Sequence, residues 1–251
     1  MNFLNGRKFM NPKVSFIIPA LNEEKNIPVL ISNIKKLDNK FSYEIIVADD
    51  NSSDKTAETA EMLGAKVIRT GRDAPKTIAN VRNTGAGIAS GEIFIFCDAD
   101  TVIHDPNKFL SGVLSVFENR EIVAGAPCIR TFPDETILTD RISHFFSNNI
   151  IRLSFNTRIP LCGGQCQVVR ASAFREINGY NENIVQTEDS DLFSRLRKTG
   201  QLHFFLDLVV YESPRRYRKT GYTLLFVQTV YSHVCRLIFR KNAFKEWKKI
   251  D

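Results

Sequence analysis

The amino-acid sequence predicts an α/β fold in which helices cover both faces of a mostly parallel sheet. Two observations predict it. Short apolar runs typical of buried strands alternate with segments of helical periodicity over the first hundred residues, and acidic or small polar residues follow where strands would end. The 251-residue chain is 43% hydrophobic and 25% charged, ordinary globular proportions that exclude a disordered chain, a coiled coil or a collagen-like repeat.

The first hundred residues alternate between the two kinds of element. Strands are expected where short apolar runs are bounded by turn residues, at residues 14–19, 43–48, 65–69 and 92–97. Helices are expected where apolar residues recur at steps of three and four, at residues 22–37, 54–63 and 76–89. Because strands separated by helices must cross over to pair, this order predicts a parallel sheet.

The pattern beyond residue 105 is less regular. Helices are expected at residues 107–117, 135–155, 171–177 and 188–198. Strands are expected at residues 122–129, 165–169 and 201–211. Two adjacent glycines, Gly163 and Gly164, interrupt the chain before the second of these strands.

The positive charge is concentrated at the end of the chain. Residues 212–251 contain ten Lys or Arg and three Asp or Glu, whereas the first 211 residues contain 24 and 25. Residues 222–249 have an amphipathic helical pattern that includes Trp247, so this tail is expected to lie on an anionic membrane or to pack on the domain or a partner. One charged segment with few aromatic residues makes nucleic-acid binding a poor interpretation.

The five cysteines are interpreted as reduced, buried side chains, namely Cys97, Cys128, Cys162, Cys166 and Cys235. The first ten residues contain no apolar leader segment, and no window of 18 residues is apolar and uncharged. We therefore expect a cytoplasmic protein, in contact with the membrane at most peripherally.

Acidic residues follow three of the predicted strands. Glu23, Asp50, Asp98 and Asp100 would converge at one rim, because the carboxyl ends of parallel strands share one edge of the sheet. Carboxylates so close repel one another, and a divalent cation that holds a diphosphate would compensate them. Each cluster alone could be a capped loop, but their occurrence at successive strand ends favours a site.

The same residues carry a resemblance. The chain resembles the family 2 glycosyltransferases of GT-A fold through an ordered set of motifs at residues 14–24, 46–54, 82–85, 97–100 and 187–191. The resemblance implies a GT-A domain over residues 1–212, with a nucleotide-binding half at about 12–104 and an acceptor-binding half at about 105–212. Residues 213–251 would form a basic amphipathic C-terminal helix.

The resemblance assigns the donor site. Pro19, Leu21 and Glu23 match the loop that cradles the base and ribose, and Asp50 matches the carboxylate that binds the base, with Ala48 beside it. Arg82 matches a basic residue that often faces the diphosphate. The motif at Asp98, Ala99 and Asp100 implies Mg²⁺ or Mn²⁺ binding, with Asp100 the more direct ligand and Asp98 shared between metal and ribose.

The resemblance also assigns the acceptor side. Asp189 matches the general base, which takes a proton from the acceptor hydroxyl in an inverting displacement, and Glu188 adjoins it. Gly163 and Gly164 match the small residues that let the backbone approach a sugar. Arg215 or Arg216 would reach the diphosphate, although a solvated basic segment is the alternative.

The sequence therefore predicts a metal-dependent, inverting glycosyltransferase that uses a nucleotide-sugar donor, with UDP and GDP undistinguished. The expected acceptor is a polyprenyl-linked or cell-surface glycan. Transfer to a soluble or protein acceptor, and a sugar-nucleotide-binding protein without turnover, are the alternatives. A nucleotidyltransferase is disfavoured because no glycine-rich basic loop follows the first strand.

Overall fold

The computed structural model describes residues 14–71, 74–239 and 243. Its eight strands are β1 (Val14–Ala20), β2 (Tyr43–Asp49), β3 (Lys66–Arg69), β4 (Ile93–Cys97), β5 (Thr101–Ile103), β6 (Ile122–Thr131), β7 (Cys166–Arg170) and β8 (Gln201–Glu212). They form one sheet in the order β3-β2-β1-β4-β7-β6-β8-β5. The helices are α1 (Ile27–Ile34), α2 (Thr56–Met62), α3 (Ile78–Gly87), α4 (Pro106–Phe117), α5 (Leu138–Ser154), α6 (Ala171–Glu176), α7 (Glu188–Leu196), α8 (Arg215–Thr220) and α9 (Tyr222–Phe239).

The half of the sheet formed by β3, β2, β1 and β4 is parallel, as the sequence predicts. Every residue of β1 and β4 is buried, because helices cover both faces. Helix α1 begins with Pro28 in its first turn and buries Ile27, Leu30, Ile31 and Ile34 against this sheet. The apolar repeat in its sequence is therefore the face that joins the core.

The direction of pairing changes at β7, which is antiparallel to both β4 and β6. Strand β8 runs parallel to β6, and the three-residue strand β5, which the sequence analysis did not identify, pairs antiparallel with β8. These directions bring the amino end of β7 and the carboxyl ends of β4 and β8 to the same edge. Residues 98, 163–165 and 212 are therefore neighbours in space.

Helix α5 contacts β6 with polar side chains. The Asn148 side chain donates to the Ile129 carbonyl at 2.9 Å and accepts from the Ile129 amide at 3.0 Å. The His144 Nε2 atom lies 2.9 Å from the Thr131 hydroxyl. These contacts satisfy backbone groups beside an irregularity in the pairing of β6 with β8, between Pro127 and Cys128.

The C-terminal segment begins with α8, which forms from the basic stretch after β8, and continues as α9. Ser232 and Cys235 of α9 are buried, and the Ser232 hydroxyl donates to the Gln186 side chain at 2.8 Å. Five of the ten Lys and Arg residues of the tail, at positions 240, 241, 245, 248 and 249, lie outside the described residues, so the expected basic amphipathic helix stays a prediction. Within the described part of the chain, no helix is both long and apolar enough to cross a bilayer.

Candidate active site

The first part of the rim is built by the loops after β1 and β2, which hydrogen-bond to each other. The Asn22 amide donates to the Ser52 hydroxyl at 2.9 Å, and the Asn22 side chain accepts from the Ser53 amide at 2.8 Å. Asn22 and Asn51 both have positive φ, a conformation that asparagine tolerates better than most residues. The two loops therefore form one cross-linked wall.

The five residues expected at the base and ribose lie along this wall at different depths. Leu21, Glu23 and Asp50 are half-buried, whereas Pro19 and Ala48 are buried. Ala48 is fully enclosed, and it faces Gly85 of α3 so closely that a Cβ at Gly85 would lie 3.3 Å from the Ala48 methyl. The expectation that Ala48 lines the slot therefore needs correction: it lies beneath the rim, where close packing of α3 requires a small residue.

The second part of the rim follows β4. The Asp98 and Asp100 side chains are about one third exposed, while Ala99 between them is buried. Burial raises the pKa of Asp98 to about 6, with the nearby Asp100 and Asp189 charges adding to the shift and Arg82 opposing it. Burial also raises the pKa of Asp100, and the neighbouring Glu23 charge adds to it.

Arg82 of α3 lies at the centre of the site with only 2% of its side chain exposed. One terminal nitrogen is 2.9 Å from Asp98, and the other is 3.1 Å from Glu188 and 2.7 Å from Asp189. The guanidinium thus faces three carboxylates on the inner side of the rim. Its expected contact with a diphosphate stays a prediction, and what the structure adds is a buried ion pair that joins the two halves.

Asp189, in the first turn of α7, is held by two donors on one oxygen. Its Oδ1 atom accepts from Arg82 and, at 2.7 Å, from the Gln167 amide on β7. Gln167 is fully buried, donates also to the Gly163 carbonyl at 2.9 Å and accepts a hydrogen bond from the Tyr180 hydroxyl. This network fixes the rotamer of Asp189. Neither Gln167 nor Tyr180 belongs to a motif that would have marked it as part of the site.

The Oδ2 atom of Asp189 faces Gly164. A Cβ at Gly164 would lie 3.0 Å from that oxygen and 2.5 Å from a terminal nitrogen of Arg82. Only glycine leaves room for the Arg82 and Asp189 side chains here, whereas the expected approach of the backbone at residues 163 and 164 to a sugar stays a prediction. At Gly163 the nearest atom to an added Cβ is the flexible Gln165 side chain, so the steric demand there is weaker.

Glu188 precedes Asp189 and is also buried against Arg82. Burial raises its pKa to about 8, and the Asp189 charge adds to the shift, while Arg82 opposes it. Thr187 adopts a left-handed conformation with φ of 68°, and its side chain makes no capping hydrogen bond to α7. A β-branched residue is strained in that region, and Thr187 lies two positions before Asp189.

A buried polar cluster at the end of β8 was not expected from the sequence. The Glu212 carboxylate accepts from the Tyr217 hydroxyl at 2.7 Å and lies 3.8 Å from His144 Nε2. Burial raises the pKa of Glu212 to about 8, and the charges of Asp100 and Asp98 add to the shift. Glu212 thus connects the acidic rim to α5 and α8. The one signal of this cluster in the sequence was Glu212 itself, an acidic residue directly after the strand expected at residues 201–211.

The basic residues after β8 contribute one contact to the rim. Arg215 lies 3.4 Å from Asp100 and is about half exposed. The side chain of Arg216 lies outside the described residues. Arg215 is therefore placed beside the acidic motif, where an anionic ligand would compete with Asp100 for its guanidinium.

The carboxylates of Asp98 and Asp100 are oxygen ligands suited to Mg²⁺ or Mn²⁺, which proteins often bind with one or two carboxylates plus substrate phosphates. Burial is the main cause of the raised pKa values of both groups, and neighbouring carboxylates add to the rise, so a cation beside them would stabilise their ionised forms. Among the described residues, no group of three or more His, Cys, Asp or Glu side chains is arranged to hold a metal. The residues present thus fit a metal that takes its remaining ligands from a diphosphate and water.

Known proteins resemble this chain in sequence and in structure. A family model described as glycosyl transferase family 2 matches residues 15–178, more than half of the chain. The dolichol-phosphate mannosyltransferase of Pyrococcus furiosus is 35% identical over 116 residues, which are 45% of this chain and 32% of that protein. The beta-monoglucosyldiacylglycerol synthase of Trichormus variabilis is 30% identical over 201 residues, 74% of this chain and 41% of that protein.

This chain therefore spans less than half the length of either relative. Among solved structures, a mannosyltransferase of Pyrobaculum calidifontis in complex with GDP-Man and Mn²⁺ superposes with a TM-score of 0.71 at 17% identity. The superposition covers 94% of this chain and 67% of the other. The GT-A fold expected from the sequence is thus confirmed, and the chain belongs to glycosyl transferase family 2.

Proposed function

We propose that this chain is a metal-dependent, inverting glycosyltransferase that moves a sugar from a nucleotide-sugar donor, with UDP or GDP as the nucleotide, to a lipid-linked or cell-surface glycan acceptor. The observation that supports it best is Arg82, which holds Asp98 of the donor rim and Asp189 of the acceptor side on its two terminal nitrogens. A donor at one carboxylate and an acceptor at the other would be close enough to react.

On the donor side, Asp98 and Asp100 would hold Mg²⁺ or Mn²⁺. When bound, the metal would supply positive charge that stabilises the departing nucleoside diphosphate. Arg215 beside Asp100 would add a second positive charge at the same leaving group. The wall formed by the loops after β1 and β2 would hold the base and ribose, with Asp50 positioned by the Thr70 hydroxyl at 2.6 Å.

On the acceptor side, Asp189 would take the proton from the attacking hydroxyl. Arg82 and Gln167 occupy its Oδ1 atom, so Oδ2, on the side of Gly164, is the oxygen that would face the acceptor. Glu188 remains protonated near pH 7 because of its raised pKa, so it would not compete as a base. Attack opposite the leaving group would invert the anomeric centre.

The lipid-linked acceptor is supported by the names of two relatives, one a dolichol-phosphate mannosyltransferase and the other a glucosyldiacylglycerol synthase. A lipid-linked acceptor would be reached from a peripheral position on the cytoplasmic face of a membrane, and we include that position in the proposal. A soluble or protein acceptor is the alternative, and it would be recognised by turnover that is independent of lipid.

A thermal-shift panel of UDP, GDP, CDP and dTDP, each with and without Mn²⁺, tests the donor site. A nucleotide at about 100 times its dissociation constant stabilises the folded state by about 2.7 kcal/mol. We expect one nucleotide to give a metal-dependent shift, which Asp100→Asn removes and Asp38→Asn, a change at an exposed aspartate between α1 and the amino end of β2, preserves.

No shift with any nucleotide would contradict the proposal. Transfer itself is then measured with the matching sugar nucleotide and a polyprenyl phosphate or diacylglycerol acceptor. Donor binding without any transfer to lipid, glycan or protein acceptors would instead favour a sugar-nucleotide-binding protein without turnover.

A further inference from the structure

Helix α5 has its polar and apolar faces reversed relative to an ordinary surface helix. Its buried residues are all polar, namely Asp140, His144 and Asn148 at successive steps of four. Its large apolar side chains are exposed, with Leu138 at 71%, Phe145 at 64% and Leu153 at 62%, and Ile142, Phe146 and Ile150 are also exposed. Contiguous apolar surface of this kind marks a site for a partner.

A groove of about 690 Å³ lies between α5 and the outer parts of β6 and β8. That volume is in the range of sites for small molecules. Its apolar lining comes from all three elements and the loop after β6, and it includes Phe145, Phe204, Leu206, Tyr211 and Pro133. Phe145 belongs to both the groove and the exposed face of α5, so the two apolar surfaces are continuous.

Three arginines also line the groove: Arg130 of β6, and Arg141 and Arg152 of α5. All three are exposed, and none has a carboxylate within ion-pair distance in the part of the chain that the structure describes. The groove lining includes neither Asp nor Glu. The Arg130 charge even adds to the lowering of the His144 pKa that burial causes. The groove therefore combines an apolar surface with uncompensated positive charge.

The groove adjoins the candidate active site. Residues 131–136 separate it from a smaller cavity of about 190 Å³ that is lined by Ala99, Asp100 and Arg215. Thr131, Pro133 and Thr136 line the groove, whereas Phe132 and Glu135 line the smaller cavity. At the inner end of the groove, the His144 Nε2 atom lies 3.8 Å from the Glu212 carboxylate. Glu212 pairs in the sheet with Thr101, the residue that directly follows Asp100.

We propose that this groove binds one lipid molecule with a phosphate-bearing head, the head at the arginines and the start of its hydrocarbon chain against Phe204, Leu206 and Tyr211. Arginine is well suited to phosphate, and an apolar chain in the groove would continue along the exposed face of α5 into a bilayer. This inference rests on the proposed function, in which the same lipid would present the acceptor to Asp189.

Octyl phosphate, kept below its micellar concentration, is a suitable monomeric probe, and calorimetry on the full chain measures its affinity without donor or metal. We expect octyl phosphate to bind more tightly than inorganic phosphate, which lacks the chain, and than 1-octanol, which lacks the charge. Equal affinity for octyl phosphate and either fragment would overturn the combined site.

Variants locate the binding. The triple change Arg130→Gln, Arg141→Gln and Arg152→Gln should weaken octyl phosphate binding at least about tenfold, since it removes all three positive charges that line the groove. Leu206→Ser, a change at an exposed side chain, should weaken octyl phosphate binding only through the lost contact with the octyl group. Arg120→Gln is the matched control. Arg120 is an exposed arginine just before Ile122, where β6 begins, at the other end of the strand from Arg130.

The triple variant with unchanged affinity for octyl phosphate would overturn the proposal. Binding to anionic vesicles without binding of the monomeric probe would also overturn it, in favour of a membrane surface that needs no groove. The nucleotide panel on the same variants separates the two hypotheses. Loss of octyl phosphate binding with an intact nucleotide shift supports the groove, whereas a missing nucleotide shift with intact octyl phosphate binding would count against the proposed function only.

Discussion

Helices α1 and α5 reach the sheet in the same way but expose opposite kinds of surface. Asn33 of α1 exchanges two hydrogen bonds with the backbone of Ile103, as Asn148 of α5 does with Ile129. Around its asparagine, α1 buries four apolar side chains, whereas α5 buries only polar ones. The sheet around α1 is therefore stabilised by the apolar packing of that helix, whereas α5 leaves a large apolar surface exposed.

The largest expected effect is a loss of turnover without a loss of donor binding. Asp189→Asn keeps an acceptor oxygen for Arg82 and Gln167 but cannot take a proton, so we expect turnover to fall by about 10²–10⁴-fold. Donor binding, measured by the nucleotide-dependent thermal shift, should persist. Asp191→Asn is the control, because Asp191 lies in the same helical turn but pairs with Arg195 at 2.7 Å. Normal turnover in Asp189→Asn would remove it as the base.

The second effect compares the two helices directly. Ile31→Ala in α1 removes a fully buried side chain and should lower the free energy of unfolding by about 2–5 kcal/mol. Leu153→Ala in α5 removes an exposed side chain and should change it by less than about 0.5 kcal/mol. Urea unfolding measures both. A cost at Leu153 similar to that at Ile31 would mean that protein covers the outer face of α5.

The smallest effect concerns pH and the cluster that joins the rim to α5. The raised pKa of Glu212, about 8, means that the folded state keeps a proton that the unfolded state releases near pH 4.5. Its contribution to stability is present below pH 4.5 and is lost as pH rises to about 8. Glu212→Gln keeps an acceptor for Tyr217 and should flatten the decline of the unfolding free energy between pH 5 and 8.

Chemical denaturation at a series of pH values measures this slope. The pKa of Glu188 is raised as well, so Glu188 lowers the unfolding free energy with rising pH in both the wild type and Glu212→Gln. The difference in slope between these two proteins therefore reports on Glu212. Glu92→Gln, at an exposed glutamate, should leave the slope unchanged. An identical slope for wild type and Glu212→Gln would show that Glu212 is ionised in the folded protein throughout this range.

Local chemistry explains which parts were predictable. The ends of β1, β2 and β4 agree with the sequence to within one residue, because uninterrupted apolar runs have few alternatives to a buried strand. The acidic rim followed from the direction of those strands. Strand β5 was missed because its three residues carry no pattern of their own and owe their conformation to pairing with β8, about a hundred residues later.

The partners of Arg82 were equally out of reach, since Glu188 and Asp189 lie more than a hundred positions away. The buried side of α5 did leave a signal. Asp140, His144 and Asn148 form a polar stripe at steps of four, whereas in most helices the apolar stripe is the buried one. The helix was predicted correctly, whereas its orientation was not determined by periodicity alone.

Gly164 has a consequence for anyone who wishes to redesign the acceptor preference of this protein. Randomising the residues that face an acceptor would naturally include this position, yet any added side chain meets Arg82 and Asp189 before it meets a new substrate. Libraries that spare residue 164 and vary the outer wall between β6 and α5 would keep the proton acceptor in place. In the proposed mechanism, changes in the groove would alter the acceptor that is bound, whereas Gly164 would leave Arg82 and Asp189 the space that they occupy.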